Sequence, residues 1–148
     1  MLGSVHLLGA EHIFEDATKS LNLSIGGGQV AWGDFNNDGW EDLHDGGLWV
    51  NERGKKFSRF TGKGPSGHGI WGDYNNDGWM DFYSWSSGKL YHNEGGKDFV
   101  DVTPKALTER PMKVSRGAAW VDIDIDGYLD LYVAGYEIWQ KAVYADAL

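Results

Sequence analysis

One nine-residue acidic pattern occurs three times in this chain and constrains its fold more than any other feature. The pattern is D-x-[DN]-x-D-G-x-x-D, and its copies span residues 34–42, 73–81 and 122–130. Oxygen-bearing side chains stand at positions 1, 3, 5 and 9, and the glycine at position 6 permits the sharp turn that bends them around one point. Such oxygens are the ligands that Ca²⁺ prefers, so the pattern predicts three calcium loops.

In each loop we expect four side chains and the backbone carbonyl of position 7 to bind the cation. The predicted ligands are Asp34, Asn36, Asp38, Trp40 and Asp42 in the first loop, Asp73, Asn75, Asp77, Trp79 and Asp81 in the second, and Asp122, Asp124, Asp126, Tyr128 and Asp130 in the third. The sequence therefore predicts about three Ca²⁺ ions per chain.

Other interpretations of these loops fit the sequence less well. Asp and Asn also form tight turns without metal. Negatively charged side-chain oxygens that converge on one turn, however, repel each other unless a cation lies between them. An EF-hand needs an acidic ligand at position 12, where the chain has Asp45, Ser84 and Val133. Mg²⁺ is disfavoured because an irregular cage of protein oxygens suits the larger ion.

The loops belong to a longer repeated unit. They start 39 residues apart (34 to 73) and then 49 apart (73 to 122), near the period of about 40–50 residues of a propeller blade. A small, apolar run precedes each loop and a short strand follows it. Residues 48–61 align without gaps to 90–103, and both alternate around a glycine turn as hairpins do. The predicted unit is an inner strand, the loop, a second strand and an outer hairpin.

These units predict an all-β fold of four-stranded antiparallel blades, with three blades' worth of sequence per chain. The length of 148 residues suits one domain, residues 1–148. Its predicted parts are an outer hairpin at 5–18, blades at 28–61 and 67–103, and a partial blade at 117–148. No segment has a convincing helical period, the nearest being 137–148.

The units resemble the FG-GAP/VCBS-type repeats of integrin-alpha-like β-propellers. More narrowly, F-x-D-x-T followed by G-x-x-A-W-G-D-[FY]-[DN]-N-D-G is similar to bacterial relatives of cartilage acidic protein. The resemblance covers nearly the whole chain. It implies propeller blades, Ca²⁺ in each inter-strand loop, and a role in adhesion or in binding a protein or glycan.

Three blades are too few for a ring, because propellers have about 4–8. A stack of three is also expected to leave two apolar faces bare. Two chains joined head to tail give six blades, and residues Val5–Thr18 of one chain then complete the blade begun by Gly117–Val133 of the other. We therefore predict a homodimeric six-bladed propeller. The alternative is that Leu148 truncates a longer propeller.

Composition and motifs exclude several function classes. The net charge of −9 offers no surface for nucleic acid or anionic membranes, and no apolar segment is long enough for membrane insertion. No nucleophile, nucleotide-binding or zinc-protease motif occurs, so we expect a protein without enzymatic activity. Trp32, Trp71 and Trp120 recur at one position and are predicted to pack between blades, while Trp85 or Trp139 could offer a platform for a sugar.

Two functions of different class fit this sequence. The first is an adhesion or ligand-binding module, and the alternative is a purely structural, non-catalytic part of a larger secreted protein or enzyme. Weak calcium sites fill where Ca²⁺ is millimolar, which predicts an extracellular, cell-surface or periplasmic setting. The N-terminal run MLGSVHLLGA lacks the basic segment of a signal peptide.

Overall fold

The computed structural model describes residues 5–6, 13–25, 28–108 and 115–135, with the backbone alone at 5–6, 13–14 and 115–116. Its strands are β1 (Val5–His6), β2 (Ile13–Phe14), β3 (Ala31–Gly33), β4 (Asp42–His44), β5 (Leu48–Asn51), β6 (Phe57–Arg59), β7 (Ile70–Gly72), β8 (Asp81–Ser84), β9 (Lys89–Asn93), β10 (Phe99–Asp101), β11 (Ser115–Val121) and β12 (Asp130–Gly135). One four-residue helix, α1 (Lys105–Thr108), was not predicted. The predicted all-β class is confirmed.

The strands form antiparallel sheets in which neighbours in sequence are neighbours in space. The first sheet has the order β3-β4-β5-β6, the second β7-β8-β9-β10, and the third described sheet contains β11 and β12. Strands β1 and β2 pair separately, with Val5 opposite Phe14. The first two sheets therefore have the predicted succession of inner strand, loop, second strand and outer hairpin. The segment 137–148, whose pattern came nearest to a helix, lies outside the described residues.

Each outer hairpin turns through two residues with positive φ. These are Arg53 (57°) and Gly54 (70°) in the first sheet, and Gly95 (64°) and Gly96 (74°) in the second. Positive φ at both central residues is what the right-handed twist of paired strands requires of a tight turn. The two hairpins thus share one turn geometry, although Arg53 pays a steric cost that glycine avoids.

Adjacent sheets pack against one another through apolar side chains. One cluster joins the first two sheets and consists of Phe35, Leu48, Phe82, Tyr91 and Phe99. Another joins the second sheet to the third and to α1, and consists of Tyr83, Leu90, Leu107 and Val133. Strands β4 and β8 are buried along their whole length, because each lies between two strands and between packed faces.

Trp71 and Trp120, on the inner strands of the second and third sheets, lie where adjacent sheets meet. The prediction is therefore confirmed for two of the three tryptophans. A Cβ added to Gly33 would come within 2.8 Å of the Trp71 ring, and one on Gly72 within 2.5 Å of the Trp120 ring. Each ring thus rests on a glycine of the preceding sheet. Trp32 is 53% exposed and meets Phe57 of its own sheet edge-on.

The apolar face of the first sheet, which was expected to be bare, is partly covered. Leu21 and Leu23 pack against the cluster of Leu43, Trp49 and Phe57 on that face. The backbone N–H of Phe57 also donates to the Leu21 carbonyl at 2.7 Å. The segment before the first sheet therefore covers part of the surface that was expected to be open.

Among the described residues no helix is long and apolar enough to cross a membrane.

Candidate metal-binding loops

The three acidic loops share one backbone shape. Position 4 has positive φ in each, at Asn37 (56°), Asn76 (60°) and Ile125 (62°), and so does the glycine at position 6 (86°, 86° and 92°). Glycine adopts this left-handed conformation without steric cost, and Asn tolerates it better than a β-branched residue does. The repeated D-x-[DN]-x-D-G pattern therefore encodes a repeated turn.

Backbone N–H groups hold the side-chain oxygens of positions 1, 3 and 5 in that turn. In the first loop Asp34 accepts from the N–H groups of Asp38 (3.1 Å) and Gly39 (2.8 Å), Asn36 accepts from Asp38 (3.0 Å), and Asp38 accepts from Trp40 (3.0 Å). The same four bonds recur in the second loop and in the third. Local bonds thus hold the side chains of positions 1, 3 and 5 in the same arrangement in all three loops.

The carboxylates at position 9 are buried in the first two loops. Asp42 and Asp81 are both 0% exposed, since each begins a buried central strand. One oxygen of each accepts a backbone N–H of the outer hairpin, from Asn51 at 2.7 Å and from Asn93 at 2.8 Å. The other oxygen, Oδ2, is buried and makes no hydrogen bond to any described residue. A buried carboxylate oxygen without a partner is costly, and a cation would satisfy it.

The electrostatics of these two carboxylates agree with that requirement. Burial, with smaller contributions from the nearby carboxylates of Asp38 and Asp34, raises the pKa of Asp42 to about 7 against the opposing effect of its hydrogen bonds. Burial also raises the pKa of Asp81, with a contribution from Asp77. Without a cation, the ionised loop is therefore destabilised by both desolvation and like-charge repulsion.

The third loop brings its carboxylates together in a more open setting. One oxygen from each of Asp122, Asp124 and Asp130 lies within 4.8 Å of the others. Asp130 is only partly buried, and its Oδ2 accepts the N–H of Ile123 at 3.0 Å. Three converging oxygens of this kind suit a hard divalent cation.

Sequence reasoning missed two asparagines that tie the loops to the outer hairpins. Besides the N–H bonds to position 9, the side-chain amide of Asn51 donates to the Glu41 carbonyl at 2.9 Å, and that of Asn93 donates to the Met80 carbonyl at 3.0 Å. Their Oδ1 atoms accept the N–H groups of the hairpin turns. The aligned Asn-Glu pairs at 51–52 and 93–94 were the signal that could have revealed them.

His92 distinguishes the second loop from the first. Its Nδ1 lies 3.0 Å from Asp81 Oδ1, and its Nε2 lies 3.9 Å from Asp77 Oδ2. In the gapless alignment of the outer hairpins, Val50 occupies the corresponding position of the first unit. The second loop therefore has an imidazole beside two predicted ligands, and the first has an aliphatic side chain there.

The aromatic residues proposed for other roles are placed as follows. Trp40 and Trp79, at position 7, lie against the glycine turns of their own outer hairpins, whereas Tyr128 is exposed. Trp85 is partly buried, stacks on His68 with ring centres 5.9 Å apart and packs against the second core cluster. Both contacts reduce the ring surface of Trp85 that a sugar could cover. Trp139 lies outside the described residues.

Comparison with models of protein families matches residues 73–133 to the FG-GAP-like repeat. The matched segment begins with the second acidic loop and ends within β12, so it contains two of the three loops. This segment thus matches an FG-GAP-like repeat, as the resemblance of its motifs implied. Neither the curated proteins nor the solved structures that were searched gave a significant match.

Proposed function

We propose that this chain is a calcium-binding, β-propeller-like repeat module in which Ca²⁺ has a structural role. The observation that carries the proposal is the pair of buried, unpartnered oxygens on Asp42 and Asp81 beside other loop carboxylates. The side chains of positions 1, 3, 5 and 9 and the carbonyl of position 7 would hold one ion per loop. The ion would neutralise those carboxylates and fix the turn between the first two strands of each sheet.

The expected stabilisation follows from mass action. A site with Kd of about 10⁻⁴ M in about 1 mM Ca²⁺ contributes roughly 1.4 kcal/mol. Three such sites contribute about 4 kcal/mol, a large share of the stability of a typical domain. Ca²⁺ at this concentration occurs outside cells, so we propose an extracellular, cell-surface or periplasmic location.

Calorimetric titration of calcium-stripped protein tests the metal assignment. We expect about three Ca²⁺ sites per chain, with Mg²⁺ binding more weakly because it demands regular octahedral geometry. A melting temperature that rises on adding Ca²⁺ would support the structural role. The assignment fails if no Ca²⁺ binds or if Zn²⁺ is preferred.

The biological role that we propose is non-catalytic binding of a protein or glycan in adhesion. The FG-GAP-like repeat supports a module of this class, and the partly exposed ring of Trp40 could contact such a ligand. The second candidate is a purely structural module without a ligand of its own. A glycan array and a pull-down in the presence of Ca²⁺ separate the two, since only the first predicts specific retention.

We also propose that two chains close a six-bladed ring. Support comes from the successive face-to-face sheets and from the pairing of β1 with β2 as a separate hairpin. The contact between chains would differ from the contacts between sheets within one chain. Trp71 and Trp120 each pack on a glycine, whereas Trp32 would pack on Val121 of the other chain. Light scattering should give a dimer that is lost on deleting residues 1–18. A stable wild-type monomer contradicts the closed ring.

A further inference from the structure

Side-chain hydrogen bonds join each acidic loop to the next one along the chain. The amide of Asn37 in the first loop donates to the Gly78 carbonyl of the second at 2.9 Å. The amide of Asn76 in the second loop donates to the Gly127 carbonyl of the third at 2.7 Å. Both donors stand at position 4 and both acceptors at position 6, directly before the residue whose carbonyl is a predicted ligand. One loop therefore holds the backbone of the next beside a predicted cation ligand.

A second link connects the first loop to the second. The side-chain amide of Asn93 donates to the Phe35 carbonyl of the first loop at 2.8 Å. The backbone N–H of the same residue holds Asp81, a predicted ligand of the second loop. Asn93 is only 1% exposed, so water cannot readily replace these bonds. The backbone next to Asn36 and the carboxylate of Asp81 are thus fixed by one buried residue.

From these links we propose that cation binding at neighbouring loops is coupled. Binding an ion requires that a loop be ordered, and a loop already held by its ordered neighbour loses less conformational freedom. Filling the first loop therefore tightens binding at the second through Asn37 and Asn93, and the reverse must hold to the same degree. This inference rests on the calcium-binding role proposed above.

The third loop lacks the side-chain amide at position 4 that donates to the next loop in the first two cases. Its position 4 is Ile125, which is 88% exposed and has no amide to donate. Within the described residues, the amide links therefore run from the first loop to the second and from the second to the third. Ile125 also supplies a control, because it has the same positive φ as Asn37 without the hydrogen bond.

The experiment is a double-mutant cycle followed by NMR on the calcium-stripped protein. The amide signals of Gly39, Gly78 and Gly127 report Ca²⁺ binding at each loop separately. Asp38→Ala disables the first loop and should weaken Ca²⁺ binding at Gly78 about fivefold or more, the change that one hydrogen bond supplies. Asn37→Gly keeps the left-handed turn but removes the amide. In a protein that carries this substitution, Asp38→Ala should weaken Ca²⁺ binding at the second loop about fivefold less.

Matched variants guard against trivial outcomes. Ile125→Gly should leave the penalty of Asp38→Ala at the second loop unchanged. If Asp38→Ala does not give a folded spectrum, Asp38→Asn removes the charge while keeping an oxygen. Ca²⁺-dependent signals with a penalty below about twofold overturn the coupling alone. If no loop responds to Ca²⁺, both the coupling and the calcium-binding role are overturned.

Discussion

The first two acidic loops and the third share a turn but differ in what they offer to a following sheet. In the first two, the residue before the loop is glycine, position 2 is aromatic and position 4 is asparagine. The residues are Gly33, Phe35 and Asn37 in the first loop, Gly72, Tyr74 and Asn76 in the second, and Val121, Ile123 and Ile125 in the third. The third loop thus has aliphatic residues at three positions that differ from the first two loops, whereas all its predicted ligand positions supply an oxygen.

Those positions make the contacts between sheets. The ring of Phe35 stacks on Trp71 with centres 6.2 Å apart, and Tyr74 stacks on Trp120 at 6.5 Å. Phe35 is 1% exposed, whereas Ile123 at the same position is 59% exposed. The ligand pattern therefore encodes the loop, and the alternate residues within it encode how the next sheet docks.

The glycine that receives the tryptophan gives the largest expected effect. Gly72→Val introduces the residue found in the third loop, and its Cβ would lie 2.5 Å from the Trp120 ring. We expect a loss of about 3 kcal/mol in the free energy of unfolding, because overpacking forces ring and backbone to shift. Urea unfolding measures it.

Gly117→Ala is the control for this substitution, because a Cβ there meets nothing within 4 Å. It should change the free energy of unfolding by less than about 0.5 kcal/mol. A Gly72→Val protein as stable as this control would show that the glycine is not needed where the sheets meet.

The buried carboxylates predict a pH dependence in calcium-stripped protein. The pKa of Asp42 is about 7 in the folded chain, against a usual value of 3.8, so the folded state binds this proton more tightly than the unfolded chain. Stability from this group is therefore full below pH 4 and is lost as the pH rises to about 7, by a few kcal/mol at most. Urea midpoints across that range measure the loss.

Asparagine variants assign this pH dependence to a loop. Asp42→Asn should remove part of the pH dependence and leave the part that comes from Asp81, whereas Asp130→Asn should not, because Asp130 is only partly buried. Saturating Ca²⁺ should also flatten it in the wild-type protein, since the cation neutralises the buried charge. Equal effects of the two variants would remove the proposed difference between the loops.

Loss of a central ligand should have a smaller effect that depends on calcium. Asp38→Ala, Asp77→Ala and Asp126→Ala each disable one loop, and each should cost roughly 1.4 kcal/mol in about 1 mM Ca²⁺. Each should lower the melting temperature less in chelator. Asp77→Ala should cost the most, because the second loop is linked to both of the others whereas the third is linked to the second alone. A wild-type melting temperature that is the same with and without chelator argues against a structural metal.

The smallest expected effect concerns position 4 of the third loop. Ile125 has a φ of 62°, which is unfavourable for a β-branched residue. Ile125→Asn should therefore stabilise the protein by about 1 kcal/mol, whereas the reverse change, Asn76→Ile, should destabilise it through strain and a lost hydrogen bond. Thermal unfolding of both variants measures the pair. A destabilising Ile125→Asn would mean that the isoleucine makes contacts that outweigh its strain.

The parts of this protein that depend on short-range bonds could be predicted from its amino-acid sequence. The acidic loops are closed by bonds between residues two to five positions apart, such as Asp34 to Gly39, so the pattern of ligands and glycine was enough to predict their turns. The four-strand unit followed because each strand pairs with its neighbour in sequence. The match of residues 73–133 to the FG-GAP-like repeat followed from the same local motifs.

The burial of the position 9 carboxylates and the hydrogen bonds between loops follow from the packing of the sheets and could not be predicted from the sequence. The link from Asn93 to Phe35 spans 58 residues and that from Asn37 to Gly78 spans 41. Nothing in a local pattern specifies such partners. Likewise, Leu21 and Leu23 cover part of one face of the first sheet, and Asp42 and Asp130 match in sequence but differ in burial. The physical reason is that burial and long-range hydrogen bonds depend on how the sheets pack, whereas a turn depends on its own residues.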